Sequence, residues 1–181
     1  MNSYWSTIFV LFLLLFILGA CRPVVLAQQQ ATATAFIESE QVLGRHSAEL
    51  AAFALCNVDF KAGSAAYQKS ICDLSTRMGC QLLSDQIAQS WQDFTRAYPV
   101  PRLVCELRSS RLLEESRQFG LPVQYWLLRL HGSEGWPQTS AEREYWLQVA
   151  RENGAWKLNR ILVPDEVRYY SSLMSIESTG Q

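Results

Sequence analysis

The spacing of hydrophobic residues changes once along this chain, at Pro101. Before that point, apolar side chains recur every three to four residues up to Tyr98, the spacing of one helix face. We expect this helix to begin at a cap, either Asp73 or Ser75. After Pro101, apolar and polar residues alternate from Leu103, which is the pattern of a half-buried strand. The order of the two patterns predicts helices followed by a sheet, an α+β fold.

Four strands are predicted in the second half of the chain, paired as an antiparallel sheet. They cover residues 103–113, 123–130, 144–151 and 155–163. Asn153-Gly154 separates the last two strands and favours a tight hairpin, because both residues tolerate a positive φ. We expect a curved sheet that wraps over the long helix, since this arrangement buries the apolar face of each.

The first half of the chain carries two further helical patterns, which begin at Phe36 and at Ser64. Residues 28–35 consist of glutamine, alanine and threonine, and we predict that they form a polar tether ahead of the folded domain. The domain itself is expected to span residues 36–164. Residues 165–181 are expected to form a C-terminal tail with at most one helical turn.

The N-terminal segment, residues 1–27, is predicted to be a targeting or anchor segment. Its first 21 residues carry no charged side chain, and a continuous apolar run extends from Ile8 to Leu18. Three ways of processing this segment stay open. Leu18-Gly-Ala-Cys21 resembles a bacterial lipobox, with lipid added to Cys21; cleavage after Ala27 is the pattern of ordinary secretion; an uncut segment is a membrane anchor. We favour the lipoprotein and predict attachment to the membrane on the extracytoplasmic face of a bacterial envelope.

Four cysteines remain beside Cys21: Cys56, Cys72, Cys80 and Cys105. An even number outside the cytosol favours two disulfides. We favour a local Cys72–Cys80 bridge, which leaves Cys56 to pair with Cys105, although the spacing is compatible with the other pairings. Zinc needs ligands clustered at short spacings, and the chain has no Cys-x-x-Cys pair, so no metal site is predicted.

The charges argue against a nucleic-acid partner. Sixteen lysines and arginines nearly balance seventeen aspartates and glutamates, without the clustered basic face that nucleic acid requires. The sequence has no phosphate-binding glycine loop and no nucleophile elbow, so no catalytic residue or cofactor is predicted. Aromatic walls with at least one Asp or His beside them suit a small-ligand pocket. The candidates for such a pocket are Trp91, Asp93, Tyr125, Trp126 and His131.

The last predicted hairpin, Tyr145 to Arg160, resembles the ending of many members of the nuclear transport factor 2-like superfamily. An apolar strand is followed by Asn153-Gly154 and then by a strand that opens with Trp156-Lys-Leu. The resemblance implies a cone-like fold over about residues 36–163, with helices packed on the curved sheet.

Within that superfamily, a chain with an N-terminal membrane anchor and an exported domain looks like the assembly subunits of conjugation and type IV secretion machines. That likeness implies protein–protein contacts and no catalysis. Other members are isomerases, dehydratases and polyketide cyclases, which implies proton transfer by an Asp or a His inside the cone. We therefore predict a membrane-anchored binding or assembly domain with a protein partner. The alternative is a small-ligand-binding protein or an enzyme of the second group.

Overall fold

The computed structural model describes the backbone of residues 22–136 and 142–179, and the side chains of residues 39–136 and 142–176. The apolar run and Cys21 lie outside the described residues. The chain divides into two compact units, Met1–Gln41 and Val42–Gln181. No helix within the described ranges combines the length and the apolar character that crossing a membrane requires.

Within the described residues, three helices precede the main strands: α1 (Arg22–Cys56), α2 (Ser64–Asp73) and α3 (Arg77–Ala97). Helix α1 begins fourteen residues before the predicted start at Phe36, so the backbone of residues 28–35 is helical where a tether is predicted. Glutamine and alanine are good helix formers, and the proline of this helix lies in its first turn, where it is tolerated.

The cap of α3 is Thr76, not Asp73 or Ser75. Its hydroxyl accepts a hydrogen bond from the Gly79 amide at 2.8 Å, which satisfies one of the free donors of the first turn. The helix ends at Ala97, and Tyr98 caps it just before the proline.

The sheet has five antiparallel strands in the order β1-β2-β3-β4-β5, one more than predicted. The additional strand, β1 (Val58–Asp59), has only two residues, and it pairs with the start of β2. Two residues are too few for an alternating pattern to be recognised in the sequence. The other four strands are β2 (Arg102–Gln118), β3 (Leu121–Glu134), β4 (Glu142–Glu152) and β5 (Ala155–Ile161). The cone shape implied by the resemblance stays a prediction.

Strands β2 and β3 extend beyond their predicted ends and form one long hairpin. The turn consists of Phe119 and Gly120, with φ of 50° and 82°. The turn between β4 and β5 has nearly the same geometry, with φ of 52° at Asn153 and 83° at Gly154. This second turn confirms the hairpin predicted from the Asn-Gly dipeptide.

The main core lies between the helices and one face of the sheet. Leu83 and Ile87 of α3 are buried with Trp126 and Leu128 of β3, together with small residues of α1. The small residues let the helix backbone approach the sheet closely. The α1 members of this core are Ala48, Ala51, Ala52, Leu55 and Cys56.

A fourth helix, α4 (Pro164–Thr179), replaces the predicted tail. Val167, Tyr170 and Met174 belong to a second apolar cluster with Tyr125 and Trp146 of the sheet. Their spacing of three and four residues defines one helix face, and Pro164 with two acidic residues in the first turn suits a helix start. The middle of β3 and the second half of β4 are therefore buried on both faces of the sheet.

Both disulfides form the favoured pairs. Cys56 at the end of α1 is bonded to Cys105 in β2, and Cys72 is bonded to Cys80 across the connection between α2 and α3. Two disulfides fit an extracytoplasmic location, because the cytosol keeps thiols reduced.

Candidate functional site

Both hairpin turns lie at the same end of the sheet. Val123, just after the first turn, pairs with Ala150, which lies just before the second. The opposite end carries the end of β3, where Glu134 pairs with Val104. We refer to the end with the two turns, residues 119–120 and 153–154, as the turn end.

Helix α1 packs over the turn end with its residues 43–50. A Cβ atom at Gly44 would lie 1.7 Å from Oε1 of the buried Gln124, so the helix backbone nearly touches β3 there. The Ser47 hydroxyl donates a hydrogen bond to the carbonyl of Trp156 in β5 at 2.9 Å. The helix then runs to the opposite end of the sheet, where the disulfide attaches it to β2.

An open groove of about 400 Å³ lies beside this contact. One wall is a single face of α1. Its residues Leu43, His46, Ser47 and Leu50 are spaced three, one and three positions apart, which places them on the same side of a helix. The other walls are the end of α2 and the start of β5. The lining residues are Leu43, His46, Ser47, Leu50, Asp73, Leu74, Gly154, Ala155, Trp156 and Lys157.

The groove has apolar walls and a charged rim. Leu43 is 53% exposed, although a leucine side chain favours burial. Trp156 is half-buried and packs against the main core. On the rim, Asp73 forms an ion pair with Lys69 at 2.5 Å, and Lys157 lies 3.9 Å from Glu152. This arrangement can hold an apolar side chain and can orient polar groups around it.

The structure does not bring the five predicted pocket residues together. Trp91 packs against the rings of Phe60 and Tyr67, with centroids 5.5 and 5.7 Å away. Asp93 is exposed and accepts a hydrogen bond from the Gln89 amide at 2.9 Å. Neither residue belongs to the lining of the groove.

The remaining three pocket candidates lie on β3 and are separated by its geometry. Tyr125 and Trp126 are adjacent, so they point to opposite faces of the sheet and belong to different apolar clusters. His131 is partly exposed, and its Nδ1 lies 2.9 Å from a carboxylate oxygen of Glu142 on the neighbouring strand. The prediction treated these side chains as neighbours without assigning them to a face.

Two tyrosines of the main core, Tyr67 and Tyr145, have raised pKa values. Burial raises the pKa of Tyr145 to about 12, and burial also raises the pKa of Tyr67. Tyr67 donates a hydrogen bond to the carbonyl of Leu55 at 2.9 Å. Both phenols therefore stay protonated near neutral pH, and proton transfer from them is unfavourable.

A buried polar network connects the sheet to α4. The fully buried Gln148 donates to the Tyr125 hydroxyl at 2.9 Å and accepts from Asn159 at 2.7 Å. Arg160 also donates to Gln148, and it binds the Glu166 carboxylate through two hydrogen bonds of 2.5 and 2.6 Å. Arg160 holds the pKa of Glu166 below its ordinary value. This network attaches the first turn of α4 to the sheet.

Sequence reasoning missed the groove. Leu43 and Leu50 stand seven positions apart on one helix face, within the helical pattern that begins at Phe36. Their exposure depends on where β5 begins beside α1, and the spacing of hydrophobic residues does not contain that information. One signal could have suggested the groove. The apolar residues of this helix cover a wider face than Ala48, Ala51 and Ala52, which pack on the sheet, so some of them had to lie outside that contact.

No family model, curated protein or solved structure matches this chain. The likeness of the last hairpin to the nuclear transport factor 2-like superfamily therefore stays a prediction.

Proposed function

We propose that this chain is a membrane-anchored extracytoplasmic domain that acts by binding a protein partner. The two disulfides support the compartment. The uncharged apolar N-terminal run supports attachment to a membrane.

The observation that carries the proposal is the groove at the turn end. Large apolar side chains stand open to solvent there, and exposed apolar surface of this kind is typical of a binding site. Its opposite walls belong to parts of the chain tied together by the Ser47 hydrogen bond, so the groove is formed before a partner arrives. Binding therefore needs little reordering of the domain.

The occupant we propose is an apolar segment of another envelope protein. The groove has room for one or two large side chains, and the charged groups at its rim could hydrogen-bond to the backbone on either side of them. The resemblance of the last hairpin favours a component of a conjugation or type IV secretion machine as the setting.

Binding is favoured over catalysis because the main core is filled with side chains. The space between helices and sheet is occupied by residues such as Leu83, Ile87 and Trp126. Asp93 and His131, the candidates for proton transfer, lie at the surface and away from the groove. Proton transfer needs a titratable group close to the bound substrate.

A small ligand is the alternative, favoured by the size of the groove. Pockets for small molecules measure roughly 300–1,000 Å³, and the groove, at about 400 Å³, falls near the lower limit.

The test is the native mass of the full chain extracted from its own membranes in mild detergent. We expect wild type in an assembly larger than its own 20.6 kDa, and we expect Leu43→Arg to release the free chain. Val163→Arg is the matched control, because Val163 is 51% exposed and lies outside the groove.

Two other results would contradict binding of a protein partner in the groove. Wild type that migrates at the mass of one chain, with a bound small molecule that Leu43→Arg removes, supports the ligand alternative. Wild type that migrates at the mass of one chain without any bound molecule contradicts both functions.

A further inference from the structure

The two disulfides differ in how far solvent reaches them. Cys72 and Cys80 are partly exposed, whereas Cys56 is 0% and Cys105 is 4% exposed. Thiol–disulfide exchange requires a thiolate to reach one of the two sulfur atoms, so burial protects a disulfide. A reductant therefore reaches Cys72–Cys80 first, while the buried pair keeps α1 attached to β2.

The span that Cys72–Cys80 closes forms one wall of the groove. Asp73 and Leu74 belong to the groove lining. The same span pairs with the edge of β5. The Leu158 amide donates to the Leu74 carbonyl at 2.9 Å, and the Thr76 amide donates to the Leu158 carbonyl at 2.8 Å. This disulfide therefore acts on a groove wall and on the attachment of that wall to the sheet.

The end of α2 depends on the disulfide because few of its residues are buried. Within α2, Tyr67 and Ile71 are the buried residues, and both precede Cys72. Helix α3 is fixed on β5 by the close backbone contact at Gly79. The disulfide thus joins the weakly held end of α2 to a firmly held helix, and without it the wall keeps fewer attachments to the domain.

We propose that Cys72–Cys80 is a site of thiol–disulfide exchange, and that its reduction by a dithiol loosens the groove and releases the occupant. This inference rests on the proposed function, which makes the groove a binding site. It adds regulation of that site, since the oxidised chain binds and the reduced chain releases.

The exchange consists of two displacements. A thiolate of the dithiol attacks Sγ of Cys72, the bond to Cys80 breaks, and Cys80 leaves as a thiolate. The second thiolate of the dithiol then attacks the mixed disulfide and releases Cys72. The two cysteines take up the two protons that the dithiol loses. Two electrons pass to the chain, and the dithiol becomes a disulfide.

Cys80 is the favoured leaving group because of its place in α3. It lies in the first turn of that helix, where the partial positive charge of the helix N-terminus stabilises a thiolate. Cys72 lies in the last turn of α2, where the helix dipole has the opposite effect. The better stabilised thiolate departs faster, so the mixed disulfide should form on Cys72.

The first test is timed reduction of the full chain in mild detergent with dithiothreitol, followed by alkylation and peptide mass. We expect Cys72 and Cys80 to be alkylated several-fold faster than Cys56 and Cys105. With the monothiol glutathione, we expect the early mixed disulfide on Cys72. Equal rates for the two pairs overturn the inference, and glutathione on Cys80 overturns the assigned direction.

Hydrogen exchange tests whether the wall follows the disulfide. After reduction of this pair, we expect the amides of Thr76 and Leu158 to exchange several-fold faster, while residues 126–130 of β3 stay unchanged. Cys72→Ser/Cys80→Ser reproduces the reduced state without reductant. Unchanged exchange at Leu158 overturns the inference, because the wall is then held without the disulfide. Faster exchange in β3 overturns it as well, because the whole domain then opens.

Native mass in the chain's own membranes separates this inference from the proposed function. Loss of the assembly on reduction, as with Leu43→Arg, supports both. An assembly that survives reduction overturns the inference alone. Oxidised wild type at the mass of one chain, without any bound molecule, contradicts the proposed function and the release of an occupant with it.

Discussion

Gly79 shows how one missing side chain lets α3 pack against the last strand. A Cβ atom at this position would lie 2.6 Å from the carbonyl oxygen of Leu158 and 2.7 Å from that of Asn159. Both atoms belong to the backbone, so a rotamer change cannot relieve the overlap. Helix propensity alone predicts a gain of about 1 kcal/mol for Gly→Ala, and the packing reverses that sign.

We expect Gly79→Ala to lower the free energy of unfolding by about 2–3 kcal/mol, the usual cost of overpacking. The measurement is urea unfolding of the full chain in mild detergent, followed by tryptophan fluorescence. Ala88→Gly on the exposed side of the same helix is the control, with an expected loss of about 1 kcal/mol. A stabilised Gly79→Ala variant would mean that α3 does not approach β5 this closely.

Phe119 provides the opposite case, where substitution should help the fold. We expect Phe119→Asn to raise the free energy of unfolding by roughly 0.5–1 kcal/mol, because asparagine adopts a positive φ more easily. The reverse change in the second turn, Asn153→Phe, should lower it by a similar amount. Urea unfolding measures both, and a loss of stability in Phe119→Asn would show that the ring packs against the domain.

At the scale of elements, an ion pair between Arg160 and Glu166 contributes to the attachment of α4 and makes it depend on pH. Arg160 lowers the pKa of Glu166 in the folded state, chiefly through their hydrogen bond. A lowered folded pKa favours the ionised carboxylate on folding. The stabilisation is therefore complete above the ordinary glutamate pKa near 4.3, and it is lost as the pH falls through the lower folded value.

We expect Glu166→Gln to lower the free energy of unfolding by about 1–2 kcal/mol at pH 7, and the difference from wild type to shrink as the pH falls below the ordinary glutamate pKa. The measurement is urea unfolding at several pH values. Asp165→Asn is the control, since Asp165 is exposed and pairs only with Arg168 one turn along the helix. A difference that stays constant as the pH is lowered to full protonation of the carboxyl would assign the effect to packing rather than charge.

The elements differ in how well their sequences predicted them. Helix α3 was predicted closely, because its apolar stripe is long and ends at a proline. The β4–β5 hairpin was predicted because its turn residues have a strong local preference. Strand β1 and helix α4 were missed, the first because it is two residues long and the second because its buried face, Val167, Tyr170 and Met174, was interpreted as part of a tail.

For the molecule as a whole, the two disulfides should contribute unequally. The Cys56–Cys105 bridge joins residues 49 positions apart, whereas Cys72–Cys80 joins residues 8 apart. The entropy of loop closure predicts losses of about 4 and 2.5 kcal/mol when each pair is replaced by serines. Urea unfolding of the two double variants measures the difference, and a larger loss for the short loop would contradict the entropic account.

The candidate site belongs to the tertiary scale. Leu43 of α1, Leu74 after α2 and Trp156 of β5 are more than thirty positions apart along the chain from one to the next. Hydrophobic spacing assigns each to an element but does not say where the elements meet. The same limit explains why Tyr125 and Trp126, predicted for one pocket, lie on opposite faces of the sheet.

The sequence by itself determined the α+β class, the change of structure at Pro101 and the tight turn at Asn153-Gly154, and it favoured the observed cysteine pairs without excluding the others. These depend on local spacing and residue chemistry, which short stretches of chain carry. Only the tertiary structure decided that a C-terminal helix packs on the second face of the sheet, which side chains form the main core, and that an apolar groove stays open at the turn end. Those outcomes depend on how separate elements share their apolar surfaces, and no single element contains that information.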